Sequence, residues 1–473
     1  MKIHIKIVAV TLILSIFGIF TSCDIDKIQP QNQLTAENAI RNEASAQFVL
    51  NGIYDLGRDF SLSSFPLYLA AYGNEGRISG QLNGGTGFNT NEVPTNNQFL
   101  TNLYNGHYKI INLSNFLIQS LEAGKAVGIS DTTKNEMISE AKFQRAFAYF
   151  NLLRYFGQFY DMNSAYGVVV RTDFATKLEA KPRNTVQEVY DLIYADLDFA
   201  AANGPMFVEH FYSGSLAAKA LLAKVELYRG NFDAAATLAD EVINNAEGYE
   251  LEPTYAAIFS NSFNSSEVIF APFSASNAEG GSSMDLIKRT TYSNTFKTLA
   301  DSQIGAANDG TLTGVGSNYD PRFSFAYAAA TKGTNNQGKY PFQGISTSQG
   351  NTLYHLRLGE MYLVFAEAEA RRVGGDLDLA LDHLNEIRTR ATLIPLKTLS
   401  DQATLLEDIR QEKLLELFYE NGEPWFDLVR YHSLGNIDAL AVKPTLTNVN
   451  QFILPIPLQV IIGNNTVIPN PGY

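Results

Sequence analysis

Beyond the N-terminal segment the only imidazoles are His107, His210, His355, His383 and His432, and their spacing limits the chemistry this chain can perform. A helical zinc site needs a pair such as His-Glu-x-x-His, and a nucleophilic serine or cysteine needs a base held beside it. The sequence has neither that histidine pair nor a Gly-x-Ser-x-Gly elbow, and it has one cysteine. Each histidine is therefore read as structural or surface, and the chain as not an enzyme, with no metal and no cofactor. Paired carboxylates for glycoside hydrolysis stay open at this level. Forty-nine acidic residues always offer pairs, and the required ~5–9 Å separation is a three-dimensional property. A net charge of −14 argues against nucleic acid as a partner.

The one cysteine, Cys23, follows Lys2 and Lys6, an apolar run from Ile7 to Phe20, and the small residues Thr21 and Ser22. That is the layout of a lipoprotein signal, with residues 1–22 removed and Cys23 acylated. The apolar run would span about 21 Å as a helix, short of the ~30 Å hydrocarbon core. Acyl chains, each buried methylene contributing roughly 0.8 kcal/mol, would hold the protein on a membrane surface. Acylation leaves no thiol, so no disulfide is expected. Residues 23–33 are polar and read as a flexible tether, and 34–473 as one integrated domain with regions 34–205 and 206–473.

Helical periodicity dominates what must position any site. It marks 35–56, 96–121, 134–157, 184–203, 213–229, 232–246, 357–374, 377–391 and 402–420. Thr185 and Glu188 form a capping box ahead of Val189, Ile193 and Leu197 on one face. Met361–Ala366 is apolar on every side, so its helix is expected at the centre. Ala217–Ile243 and Tyr362–Ile387 share a helix, a Gly-containing turn and a second helix, like tetratricopeptide hairpins that must stack on neighbours. Arg357, Glu360, Glu367, Arg388, Arg390 and Arg430 stand among apolar residues and read as partly buried ion pairs. Glu267–Phe273 and Phe452–Pro457 read as short extended segments.

Two long polar stretches, 58–98 and 274–352, retain aromatics and are the expected ligand region. Tyr68, Tyr72, Asn74, Glu75, Arg77 and Phe88 combine flat rings with hydrogen-bonding groups, and Tyr292, Tyr319 and Tyr340 could add to them from the second stretch. Such a mixture suits a ligand that offers both apolar faces and hydrogen-bonding groups.

Five segments in order carry a resemblance: Glu140–Gly157, Lys181–Ala200, Leu356–Arg390, Ile409–Arg430, and the closing Leu454-Pro455-Ile456-Pro457 with Asn470-Pro471-Gly472-Tyr473. Together, behind a lipoprotein signal, they resemble the SusD/RagB family of outer-membrane nutrient-binding lipoproteins over nearly the whole chain. Glu423-Pro424-Trp425 departs from it, since the family more often has an arginine near that aromatic; Trp425 itself falls in a motif similar to the family's structural core. The resemblance implies a mostly α fold, with tetratricopeptide-like hairpins as scaffold and a loop-rich part carrying the ligand site. It implies a protein lipid-anchored through Cys23 to the outer membrane and facing the cell exterior. There it would capture oligosaccharides and deliver them to a SusC-like TonB-dependent transporter. Peptide capture, as in the RagB branch, and a tetratricopeptide-type interaction scaffold are the alternatives.

Overall fold

The computed structural model describes residues 35–79, 82, 84–177, 179–207, 209–274, 286–287, 290–302, 320–322, 325–326, 338–340, 351–391 and 395–473. The signal, Cys23 and the tether lie outside these residues. The described part is mostly helical, as expected.

Many of the helices start where a side chain can satisfy their free amides. Asn42 and Ser45 cap α1 (Glu43–Leu56) reciprocally. Asp59 caps the single turn α2 (Phe60–Ser63), and α3 (Phe65–Tyr72) follows with a proline in its first turn. After strand β1 (Gly76–Ile78), Asn97 caps α4 (Gln98–Glu122) and Ser130 caps α5 (Asp131–Phe156). The Thr185–Glu188 capping box opens α6 (Val186–Asn203) as its sequence pattern predicts. The first hairpin is α7 (Ser215–Arg229) and α8 (Phe232–Ile243), turned by Gly230 at φ 79°, a left-handed backbone that favours glycine.

Short elements follow: α9 (Tyr255–Ser260), β2 (Val268–Phe270), β3 (Thr290–Tyr292), α10 (Asn294–Ser302) and β4 (Leu356–Arg357). The second hairpin is α11 (Leu358–Arg371) and α12 (Leu377–Ala391). The chain ends through α13 (Gln402–Glu416), α14 (Glu423–Ser433), α15 (Ala439–Val442) and α16 (Leu458–Gly463).

Helices α4 to α8 pack in sequence order, and α11 lies against α8 as well as against α12 and α13. The two hairpins therefore stack on each other, each covering the apolar face the other exposes. Helix α11 is buried along nearly its whole length, the central position its apolar run predicts. Helix α6 also packs on α7, across the boundary expected near residue 205. Both sheets are two-stranded and antiparallel: β1 pairs with β3, Gly76 opposite Tyr292, and β2 pairs with β4, Val268 opposite Arg357. Gly76 has no room for a side chain, because a Cβ there would stand 1.9 Å from the Tyr419 hydroxyl.

The charged residues of the motif helices form buried networks. The Arg357 guanidinium donates to Glu267 at 2.8 Å, Glu416 at 2.7 Å and Glu420 at 2.8 Å. Arg390 also reaches Glu267 and Glu416, and Arg388 pairs with Glu412 at 2.7 Å. Three guanidiniums, from Arg390, Arg357 and Arg322, hold the fully buried Glu416 carboxyl far below its ordinary range against the cost of burial. A second cluster joins Glu367 to Arg430 and Lys413, each at 2.7 Å, and Lys224 to Glu360 at 2.8 Å. These pairs tie α7, α11, α12, α13 and α14 together.

Two expectations are corrected. The stretch 58–98 is not irregular throughout, since it holds α2, α3 and β1. Every residue of α3 is buried, so the helix shows no polar face for a periodicity argument to detect. The helix expected over 402–420 ends at Glu416. Beyond it Tyr419, Asn421 and Gly422 take positive φ, and the turn places Glu420 against Arg357.

Candidate ligand cleft

The predicted aromatic platform is not at the surface. Tyr68, Tyr72 and Phe88 are each 0% exposed. Tyr68 stacks on Phe99 with ring centroids 4.1 Å apart, Phe88 meets the edge of Tyr68 at 5.2 Å, and Tyr72 meets Trp425 at 4.9 Å. The Tyr72 hydroxyl donates to the Gln451 carbonyl at 2.7 Å. Tyr340 is likewise interior, and its hydroxyl donates to the Tyr419 carbonyl at 2.9 Å. These rings are core: all four are buried, and internal acceptors take the two hydroxyls named. Trp425 is buried with them.

Glu75 is also inside. One oxygen accepts from the Tyr419 amide at 2.7 Å, and the other has no partner. Burial pushes its carboxyl from 4.5 up to about 8. Asn74 is half-buried and donates to the Val442 carbonyl at 3.0 Å. Only Arg77 is exposed, with Tyr292 half-buried on the partner strand. Tyr319 lies outside the described residues. The eight described candidates do not converge.

A different set does converge. Helices α1, α4 and α5, the Phe211-Tyr212 turn, the end of β2, and residues Leu353, His355 and Asn421 enclose a cleft of about 300 Å³. Tyr54, Phe147, Phe211, Tyr212, Phe270 and Phe273 form its wall. Phe147 and Phe270 meet edge to face at 6.3 Å, and Phe211 and Phe273 at 5.2 Å. Asn51 and Asp55 are exposed on α1, and Phe273, 39% exposed, stands with them at the mouth. The Arg58 guanidinium lies 5.8 Å from the Phe273 ring centroid and 3.3 Å from Asp55.

Two buried polar side chains of the cleft keep unspent hydrogen-bonding groups. His107 is 5% exposed, and neither ring nitrogen has a hydrogen-bond partner; nor does the amide nitrogen of Gln144, also 5% exposed. Unsatisfied buried groups of this kind are costly in a folded protein. Burial, reinforced by the charge of Arg154, pushes His107 from 6.5 down to about 3, so it is neutral with one donor and one acceptor nitrogen. Across the cleft, Nδ1 of His355 lies 2.8 Å from Oδ1 of Asn421. The Asn421 amide nitrogen already donates to the Tyr354 and His355 carbonyls. Oδ1 must therefore accept, and Nε2 of His355 is left as an acceptor. Burial lowers His355 from 6.5 to about 4.

This uncharged floor of donors and acceptors under aromatic walls can hold a hydroxyl-rich molecule with apolar C–H faces. One carboxylate, Asp55, is among the described lining residues, and no described group of three His, Cys, Asp or Glu has the arrangement of a metal site. Taking each histidine alone as structural or surface missed the cleft, because His107 and His355 are brought together from far apart in sequence and neither carries a local motif.

Residues 286–473 match the family model described as the SusD family, and residues 26–227 match one described as "Starch-binding associating with outer membrane". The chain is 26% identical to SusD-like protein P2 of Formosa agariphila over 99% of both chains. It is 28% identical to a SusD-like protein of Bacteroides ovatus over 36% of this chain and 32% of that one. Among solved structures, a SusD superfamily protein of Bacteroides thetaiotaomicron superposes with a TM-score of 0.75 at 23% identity, covering 91% of this chain and all of that one. A laminarin-binding SusD-like protein superposes at 0.70 and 24% identity, covering 92% and 100%. The stacked hairpins, the ordered motifs on them and these matches agree: the chain belongs to the SusD/RagB family.

Proposed function

We propose that the protein is a lipid-anchored receptor on the outer face of the outer membrane, which binds oligosaccharides in this cleft and delivers them to a SusC-like TonB-dependent transporter. The observation that carries the reading is the unspent hydrogen-bonding capacity of His107 and Gln144 beneath the rings of Phe147, Phe270 and Phe273. A sugar ring stacks its C–H face on such a wall while its hydroxyls satisfy the buried donors and acceptors. The laminarin bound by a structural neighbour supports a glycan over a peptide, and the outer-membrane description of the matching family model supports the location.

A single lining carboxylate supports binding without turnover, since glycoside hydrolysis ordinarily takes two carboxylates at ~5–9 Å. Asp55, moreover, is held by Arg58 at 3.3 Å. The lipid on Cys23 and the tether through residue 33 would let the body swing against a membrane-embedded barrel.

Retention of a fluorescent laminarin oligosaccharide by intact cells tests the reading. Retention that disappears when external protease removes the protein is the expected result. A protein shielded from protease until the outer membrane is broken would overturn the surface location, and cells that retain no sugar would overturn the receptor.

A further inference from the structure

Helix α4 carries a second, independent surface. Asn102, Asn105, Lys109 and Asn112 recur at spacings of three and four, so they form one stripe along the helix. Asn102, Asn105 and Lys109 line a hollow of about 350 Å³ with Asp59, Phe60 and Ser61. Asn105, Lys109 and Asn112 line another of about 500 Å³ with Arg171, Lys177, Glu179, Gln459 and Asn464. The hollows share Asn105 and Lys109, so they are neighbours on the α4 surface and are taken together as one groove.

Its chemistry differs from that of the cleft. Phe60, 51% exposed, gives a ring at one end. Toward the other end three cations line the groove: Lys109 and Lys177, both exposed, and Arg171, whose guanidinium donates to the Glu179 carbonyl at 2.6 Å. None of the three pairs with a carboxylate among the described residues, although the chain as a whole carries a net charge of −14. Two carboxylates line the groove: Asp59, which accepts from the Ser61 amide at 2.9 Å, and Glu179. The exposed Asn102 and Asn105 amides, one open ring and cations without a carboxylate partner are the complement of a sugar chain that bears negative charge.

We propose that this groove is a second binding site, selective for acidic oligosaccharides that carry carboxylate or sulfate groups. The inference rests on the reading of the protein as a glycan receptor, and adds a site and a ligand class that the uncharged cleft does not provide.

Titration calorimetry on the full soluble domain tests it, with matched neutral, uronate-bearing and sulfated oligosaccharides at low and high salt. The wild type and the Lys109→Glu/Lys177→Glu variant are compared, both positions being exposed and remote from the core. Acidic oligosaccharides are expected to bind about tenfold or more weakly to the variant, and more weakly to the wild type as salt rises. Neutral oligosaccharides are expected to be unaffected. Whether uronate or sulfate responds identifies the charged group recognised. Acidic binding that ignores both the substitutions and salt would overturn the groove while leaving the receptor reading standing. Binding of no oligosaccharide of either kind would overturn both.

Discussion

At the residue scale the sharpest consequence concerns Glu75. Burial holds its proton up to about pH 8, whereas an ordinary carboxyl titrates near 4.5. Between those values the unfolded chain has released the proton and the folded chain keeps it, so the folded state binds more protons and Glu75 makes stability fall as pH rises through that window. Glu75→Gln removes this contribution and keeps an oxygen for the Tyr419 amide. The variant should match the wild type near pH 4 and exceed it by roughly 2–5 kcal/mol near pH 8. Thermal melts across that range measure it, and equal pH slopes for both proteins would contradict it. The aromatics separate in the same way. Tyr72→Ala should cost roughly 3–5 kcal/mol of stability because it empties a core position, whereas Phe273→Ala, at the cleft mouth, should leave the urea midpoint nearly unchanged and weaken ligand. Tyr72 and Phe88 were plausible binding residues in the sequence because Asn, Gly and Thr surround them; only the packing of α3 against Phe99 and Trp425 reveals that those rings face inward.

At the scale of elements, α11 to α14 are held by charge as much as by apolar contact. Arg357 has no exposed side-chain surface and donates to three carboxylates. Arg357→Ala would leave Glu267, Glu416 and Glu420 short of a counter-charge, at an expected cost of about 3–5 kcal/mol. Urea denaturation measures this, and a loss below about 1 kcal/mol would show that Arg390 and Arg322 compensate. These ion pairs were legible because charges recurred among apolar neighbours on recognisable helices. The hairpins were legible from Gly230 and Gly374 between alanine-rich runs, and α6 from its capping box. Helix α3 was not, because eight residues apolar on all sides carry no period. The turn after Glu416 was hidden by the apolar Leu417-Phe418-Tyr419, which reads as continued helix.

For the whole molecule, the fold followed from ordered motifs on periodic helices, while the cleft is a product of tertiary assembly. Its lining comes from Asn51 to Arg58, His107, Gln144 to Tyr155, the Phe211 turn, Phe270 to Phe273, His355 and Asn421, segments that no local pattern links. Under the proposed lipid anchor at Cys23, Cys23→Ala should move the protein from the membrane to the soluble fraction on centrifugation. The proposed function requires His107 and Phe273 to hold a sugar. The most direct measurement is calorimetric titration of the domain with a laminarin oligosaccharide, comparing the wild type with His107→Leu, which keeps bulk but removes both nitrogens, and with Phe273→Ala. The expected result is that the wild type binds and that each variant loses about tenfold or more in affinity, with folding intact by thermal melt. Wild-type affinity in both variants would contradict it.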